Sequence, residues 1–247
     1  MIINIAGYQD ISLIDVHGYV SSVLWVCGCN LKCPYCHNWR IAIGDPSICK
    51  PVDTGEVKEE ITRTRRYVDY LHVTGGEPLL QHRALEEIYE FAHEVKLLNS
   101  LNSNLVLTEN LRILLDKELI DHIATDLRAP FSIMSGVESS WSTYWEKFVE
   151  SLRLIADHGI RLELRIPVAR SLTNKYLGKT LEELLPVLSR IENIYCIVNP
   201  LVGPPHTQPR DREWSAKYCF PSEEELEEAR ATVEAVLGCK VFVKKWW

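Results

Sequence analysis

Three cysteines stand in one short run, Cys29-Asn30-Leu31-Lys32-Cys33-Pro34-Tyr35-Cys36, spaced C-x3-C-x2-C. Thiolates are soft ligands, and three on one tight loop can serve a single metal centre. A structural zinc ion wants four ligands in a closed tetrahedral shell. The fourth could be Cys27, His37 or Cys49. Zinc knuckles usually show two paired halves, and no second half occurs in the chain. An iron–sulfur cube also wants four thiolates, one per iron. With three cysteines, one iron stays open for a substrate or cofactor. The remaining cysteines, Cys196, Cys219 and Cys239, are isolated in the sequence. They read as buried thiols, and Cys27 and Cys49 read by default in the same way.

A second cluster of interest is Thr74-Gly75-Gly76-Glu77-Pro78. Two glycines let the backbone approach a ligand closely, Pro78 suits the first turn of a helix, and Glu77 can accept hydrogen bonds. A Gly-Gly turn alone is common. It gains meaning because it ends the strand that follows the cysteine loop, so both segments face the same end of a sheet.

The elements that must position these residues follow from hydrophobic periodicity. Strands are expected at Val20–Val26, Tyr70–Val73, Leu105–Leu107, Ile123–Leu127, Leu162–Val168 and Tyr195–Val198, with a terminal strand at Lys240–Val243. Helices are expected at Val57–Arg66, Leu79–Val95, Leu111–Leu119, Tyr144–Asp157 and Leu181–Ser189, with Pro186 near the start of the last or kinking it. Asp53 with Glu56, and Ser222 with Glu225, have capping-box spacing, and Gly238 ends the last helix. Gly203–Trp214, rich in Pro, Arg and Asp, reads as a long functional loop, in which His206 could approach a substrate. Alternating strands and helices imply parallel βαβ units, in an open sheet or a barrel, with the site at the C-terminal ends of the strands.

Composition bounds the function classes. The chain has 247 residues, 46% of them hydrophobic and 25% charged, which is ordinary globular usage and argues against disorder. The net charge of −7 leaves no basic footprint, so nucleic acid is a disfavoured partner. No run of 18 apolar residues suggests a membrane span, and Asp10 and Asp15 interrupt the first apolar stretch before it resembles a signal peptide. The expectation is a cytoplasmic protein whose thiols stay reduced.

In order and spacing, the cysteine loop and the Gly-Gly-Glu-Pro turn resemble the radical S-adenosylmethionine (SAM) superfamily. The likeness covers six βα units. It implies one domain, with a partial (β/α)6 barrel core at about residues 18–200 and a C-terminal extension at about 201–247. It implies that Cys29, Cys33 and Cys36 hold a 4Fe-4S cluster whose open iron chelates SAM. It also implies that Gly75, Gly76 and Glu77 receive the methionine amino group and that Tyr35 contacts the adenine.

The flanks Ile11–Gly18 and Cys36-His37-Asn38 resemble the glycyl-radical-enzyme activating branch, especially the activating proteins of anaerobic ribonucleoside-triphosphate reductase and pyruvate formate-lyase activating enzyme. The partner implied is a glycyl-radical enzyme, with a flavodoxin- or ferredoxin-like electron donor. Asp126-Leu127-Arg128 sits where activases carry Asp-Leu-Lys, so Arg128, or Arg165 on the next strand, could bind the SAM carboxylate. Ser103 and Asn104 stand where activases carry Thr-Asn-Gly and contact ribose, with the glycine missing here. Asn199 is a further candidate SAM contact, and His37 a candidate neighbour of a cluster sulfur. Two other readings stand beside this one: a radical SAM enzyme acting on a small molecule or nucleoside, similar to 7-carboxy-7-deazaguanine synthase, and a non-catalytic zinc module.

Overall fold

A computed structural model describes residues 1–137 and 139–245. Two compact units alternate along the sequence: Met1–Asn30 with Arg40–Ala124, and Leu31–Trp39 with the chain from Thr125 on.

The first unit is built on β1 (Ile2–Ser12), β2 (Ser21–Val26), α1 (Trp39–Ala42), β3 (Lys50–Asp53), α2 (Thr54–Thr64), β4 (Tyr70–Gly75), α3 (His82–Glu94), β5 (Leu98–Asn102), α4 (Thr108–Asp116) and β6 (His122–Asp126). Its strands run in the order β3-β1-β2-β4-β5-β6. β2, β4, β5 and β6 are parallel, with Val26 opposite Gly75 and Ser100 opposite His122. β1 joins this parallel set antiparallel to β2 and carries β3 on its other edge. Helix α3 buries Ala84, Leu85, Ile88, Tyr89 and Ala92, a single face at helical spacing. The capping box of Asp53 and Glu56 is present at the start of α2.

The second unit contains α5 (Phe131–Met134), α6 (Trp141–Asp157), β7 (Arg161–Val168), α7 (Asn174–Leu188), β8 (Ile194–Pro200), α8 (Arg212–Tyr218), α9 (Glu223–Leu237) and β9 (Lys240–Val243). β7, β8 and β9 are parallel neighbours. Ser222 and Glu225 close a capping box on α9, and Gly238 ends it in the left-handed conformation. Trp246 and Trp247 lie outside the described residues.

The fold is mixed α/β with a mostly parallel sheet, and the strand–helix alternation is the one expected. Three expectations change. The third strand is Leu98–Asn102, not Leu105–Leu107, and Leu105 has φ +61°, incompatible with a strand. α7 starts at Asn174, so Pro186 falls in its last turn rather than its first. Two strands, β1 and β3, lie outside the expected set. No helix among the described residues is long and apolar enough to cross a membrane.

Candidate functional site

In the first unit the parallel strands end together, and the residues just past those ends form one hydrogen-bonded group. Gly75, the last residue of β4, has φ +115°, and a Cβ there would stand 2.5 Å from the Val26 carbonyl oxygen. At Gly76 a Cβ would fall 1.9 Å from the Gly28 carbonyl oxygen. Both positions therefore need glycine because the turn presses against the backbone leading into the cysteine loop. Gly76 N–H donates to Val26 O at 2.8 Å, and Glu77 N–H to Gly28 O at 2.7 Å.

The Glu77 carboxylate is wholly buried. Its Oε1 accepts from Leu79 N–H at 3.0 Å and from the Ser103 hydroxyl at 2.8 Å, and its Oε2 accepts from Asn104 N–H at 2.7 Å. Glu77 thus caps the 3-10 turn Pro78–Gln81 and ties it to the segment after β5. From that segment the Asn104 amide donates to Asn30 Oδ1 at 2.8 Å and lies 3.9 Å from Cys29 Sγ. Glu77 and the Ser103-Asn104 pair, 26 residues apart in sequence, thus form one hydrogen-bonded group, with Asn104 beside the first motif cysteine.

Cys27 is not a free core residue. It forms a disulfide with Cys49. The bond ties the end of β2 to the segment before β3, and it removes both residues as candidate fourth ligands. The expectation that all non-motif cysteines are reduced thiols is therefore corrected.

The second unit holds the rest of the loop. Lys32 N–H donates to Ser135 O at 3.1 Å, and a Cβ on Gly136 would stand 2.1 Å from Lys32 O, so the turn after α5 backs directly onto the loop. On the other side, Arg210 N–H donates to Cys36 O at 3.1 Å, Asp211 N–H to Pro34 O at 2.9 Å, and Trp39 Nε1 to Gln208 O at 3.1 Å. The ring of Trp214 lies 5.7 Å from that of Tyr35 and 4.8 Å from that of Tyr218. The segment expected to be a functional loop is thus a clamp on the cysteine loop, with α8 at its end. His206 is exposed and edge-on to Phe220. His37 is exposed in the turn after Cys36.

Arg128 is almost completely buried beside Asp126, donating to its carbonyl oxygen at 3.0 Å and its carboxylate at 3.4 Å. Burial works against the charge, but Tyr35, Cys33 and Asp126 outweigh it and keep the guanidinium protonated. Burial pushes the Tyr35 phenol well above its usual range, with Arg128 drawing it back. Burial, reinforced by Cys33, pushes the Cys36 thiol up to about 11, with Arg210 and Arg128 opposing. Two cations therefore favour negative charge on this loop. Arg165 Nε donates to the buried Glu163 carboxylate at 2.5 Å, which also accepts from Tyr195 at 2.7 Å, so its guanidinium is engaged within the sheet. Asn199 lies near the end of β8.

Among the described residues, the buried polar atoms of this unit without a hydrogen-bond partner include Tyr35 Oη, Arg128 Nε, Asn199 Oδ1 and Trp214 Nε1. Unmatched buried polar atoms are costly, and those of Tyr35, Arg128 and Trp214 at the cysteine loop suit a polar cofactor. Trp214, Arg210, Asp211 and Gly136 were not identified from the sequence. Only the aromatic and Gly residue types hinted at them. Among the described residues, no three His, Cys, Asp or Glu side chains gather as a ready single-metal set. A cube gives each thiolate its own iron and does not require the sulfurs to meet at one atom.

The parallel α/β scaffold thus carries a three-cysteine loop after one strand and a Gly-Gly-Glu turn after the next, a donor set suited to an iron–sulfur cluster. The sequence matches the Radical SAM superfamily over residues 23–184, and the chain belongs to that family. Its cofactors are accordingly a 4Fe-4S cluster and SAM, and the zinc-module reading is set aside.

A Methanocaldococcus jannaschii protein that carries the name of a glycyl-radical enzyme activating enzyme is 33% identical over 129 residues, 51% of each chain. The chain thus matches about half the length of that relative. The 7-carboxy-7-deazaguanine synthase of Hyperthermus butylicus is 29% identical over 198 residues, 72% of this chain and 78% of that one. Spore photoproduct lyase, solved with a dinucleoside spore photoproduct, superposes with a TM-score of 0.66 over 88% of this chain and 75% of that one, at 16% identity. That likeness speaks to the fold alone.

Proposed function

We propose that this chain is a glycyl-radical-enzyme activase, which abstracts a hydrogen atom from one glycine Cα of a partner such as anaerobic ribonucleotide reductase. Reductive cleavage of SAM to a 5′-deoxyadenosyl radical is the chemistry the bound cofactors supply. The residues of the chain hold and orient them. Cys29, Cys33 and Cys36 are the cluster ligands. The turn Gly75-Gly76-Glu77 receives the SAM amino group, with Glu77 acting through the backbone it fixes. Tyr35 takes the adenine. Arg128, with its unmatched Nε, suits the SAM carboxylate better than Arg165, whose Nε is engaged by Glu163. Asp126 holds Arg128 in place. Ser103 and Asn104 border the ribose, Asn199 offers an acceptor, and His37 lies beside the third cysteine. A flavodoxin- or ferredoxin-like protein delivers the electron, in a cytoplasmic setting.

The radical SAM part rests on the family match and on the cysteine loop, where Tyr35 Oη, Arg128 Nε and Trp214 Nε1 are buried and unmatched. The activase part rests on the 33% identity to the M. jannaschii protein. The 7-carboxy-7-deazaguanine synthase relative covers more of the chain, and it supports the second reading, a small-molecule or nucleoside substrate.

Anaerobic incubation with SAM, dithionite and candidate glycyl-radical enzymes separates the two. A glycyl doublet in the electron-spin spectrum, together with 5′-deoxyadenosine, is expected. SAM cleavage without a doublet across all candidates, but coupled to turnover of a small molecule or nucleoside, overturns the activase reading. SAM cleavage at the parental rate by Cys29→Ala, Cys33→Ala or Cys36→Ala overturns the cluster assignment.

A further inference from the structure

We propose that Cys196 and Cys239 form a second, oxidisable cysteine pair that closes to a disulfide and staples the start of β9 to β8. The pair is independent of the SAM site. Their sulfurs are 3.2 Å apart, so only about 1 Å separates them from the ~2.05 Å of a disulfide bond. Backbone pairing holds them there. Val241 is the register partner of Cys196, and Cys239 stands two residues before Val241, immediately ahead of β9.

Cys196 is fully buried in the middle of β8, while Cys239 is partly exposed between Gly238, the cap of α9, and the first residue of β9. The chain already contains one disulfide, Cys27–Cys49. A second leaves as free thiols only the three motif cysteines and Cys219, which is buried beside the Ser215 hydroxyl.

The chemistry divides the roles. Cys239 is the partly exposed member of the pair, while contact with Cys239 and burial hold the Cys196 thiol up. Cys239 is therefore the accessible nucleophile and Cys196 the resolving thiol. The oxidant is a disulfide, from a small thiol or a disulfide-exchange protein. The Cys239 thiolate attacks one of its sulfurs, the first RS⁻ leaves, and a mixed disulfide remains. Cys196 then gives up its proton and attacks the Cys239 sulfur, and the second RS⁻ leaves. Two protein thiols are oxidised and one RSSR becomes two RSH.

The test uses the full chain with its cluster, kept anaerobic and equilibrated in mixtures of reduced and oxidised glutathione. Thiols are then blocked with N-ethylmaleimide in denaturant and the peptides mapped. A peptide pair joining Cys196 to Cys239, with Cys219 alkylated, is expected. The melting midpoint should rise on the order of 10 °C on oxidation, given the 43-residue separation. Cys196→Ser should trap glutathione on Cys239 and abolish the rise. Should that buried variant fail to fold, Cys239→Ser, at the partly exposed position, must abolish the rise on its own. Recovery of Cys196 and Cys239 both alkylated under conditions that keep Cys27–Cys49 closed overturns the proposal. So does a stable glutathione adduct on Cys239 in the parental chain.

Discussion

Replacing Glu77 with glutamine isolates what its carboxylate does. The side chain accepts three hydrogen bonds: from Leu79 N–H, the Ser103 hydroxyl and Asn104 N–H. Glutamine has nearly the same shape but only one acceptor atom. Whichever way its amide turns, its NH₂ faces at least one N–H or O–H that also wants to donate. One charge-assisted bond is lost, worth about 1.5–3 kcal/mol, and a buried donor is left unmatched. The surviving bonds weaken because the acceptor is now neutral. The sum is roughly 3–5 kcal/mol, an estimate for a group with no solvent access in which water cannot substitute. For a chain of this length, that lowers the melting midpoint by about 6–20 °C. The assay is a thermal melt of the apoprotein followed by circular dichroism, alongside SAM binding by the reconstituted protein. A Glu77→Gln midpoint within about 2 °C of the parent, with SAM affinity lost, would refute the reasoning, because the carboxylate would then be facing the ligand rather than the fold.

Three other outcomes follow from the same geometry. Gly136→Ala places a Cβ against the Lys32 carbonyl at a residue with φ +69°, and iron bound per chain should fall severalfold in anaerobic reconstitution while helix content holds. Trp214→Ala removes two ring contacts of about 0.5–1.5 kcal/mol each. It should shorten cluster lifetime in a chelator challenge, with little change in the far-ultraviolet spectrum. Cys49→Ser opens a disulfide spanning 22 residues, which costs about 3 kcal/mol, so the midpoint should drop by about 6–12 °C. Reductant should bring the parental protein down to meet the variant.

How much of this was legible in the sequence depended on whether apolar character and burial coincided. β2, β4, β6, β7 and β8 are apolar enough to read directly. β5 is Leu-Asn-Ser-Leu-Asn, and its polar residues disguise it. Asn99 is fully buried yet donates to the Tyr89 and Leu119 carbonyls, and Ser100 bridges His72 and His122 at 2.8 and 2.7 Å. Side-chain networks make such a strand tolerable in a core, and no hydropathy window detects them. β1 escaped because Gly7 and Asp10 break its alternation, and β3 because Pro51 argues against a strand unless it sits on an edge, as it does.

At the site, the motif residues were legible because neighbours in sequence carry them. The supports were not. Cys27 and Cys49 are 22 residues apart, and nothing local marks them as partners. The contacts of Arg210 and Asp211 with the cysteine loop use backbone N–H groups, which every residue but proline has.

That clamp also imposes an order on biosynthesis. The three thiols leave the ribosome early, but the backbone donors of Arg210 and Asp211 and the ring of Trp214 are made some 170 residues later (210 − 36 = 174). A nascent chain halted near residue 200 has all three cysteines but neither the Arg210 and Asp211 donors nor the Trp214 ring. The loop therefore gains that clamp only once residues 210–214 have been made.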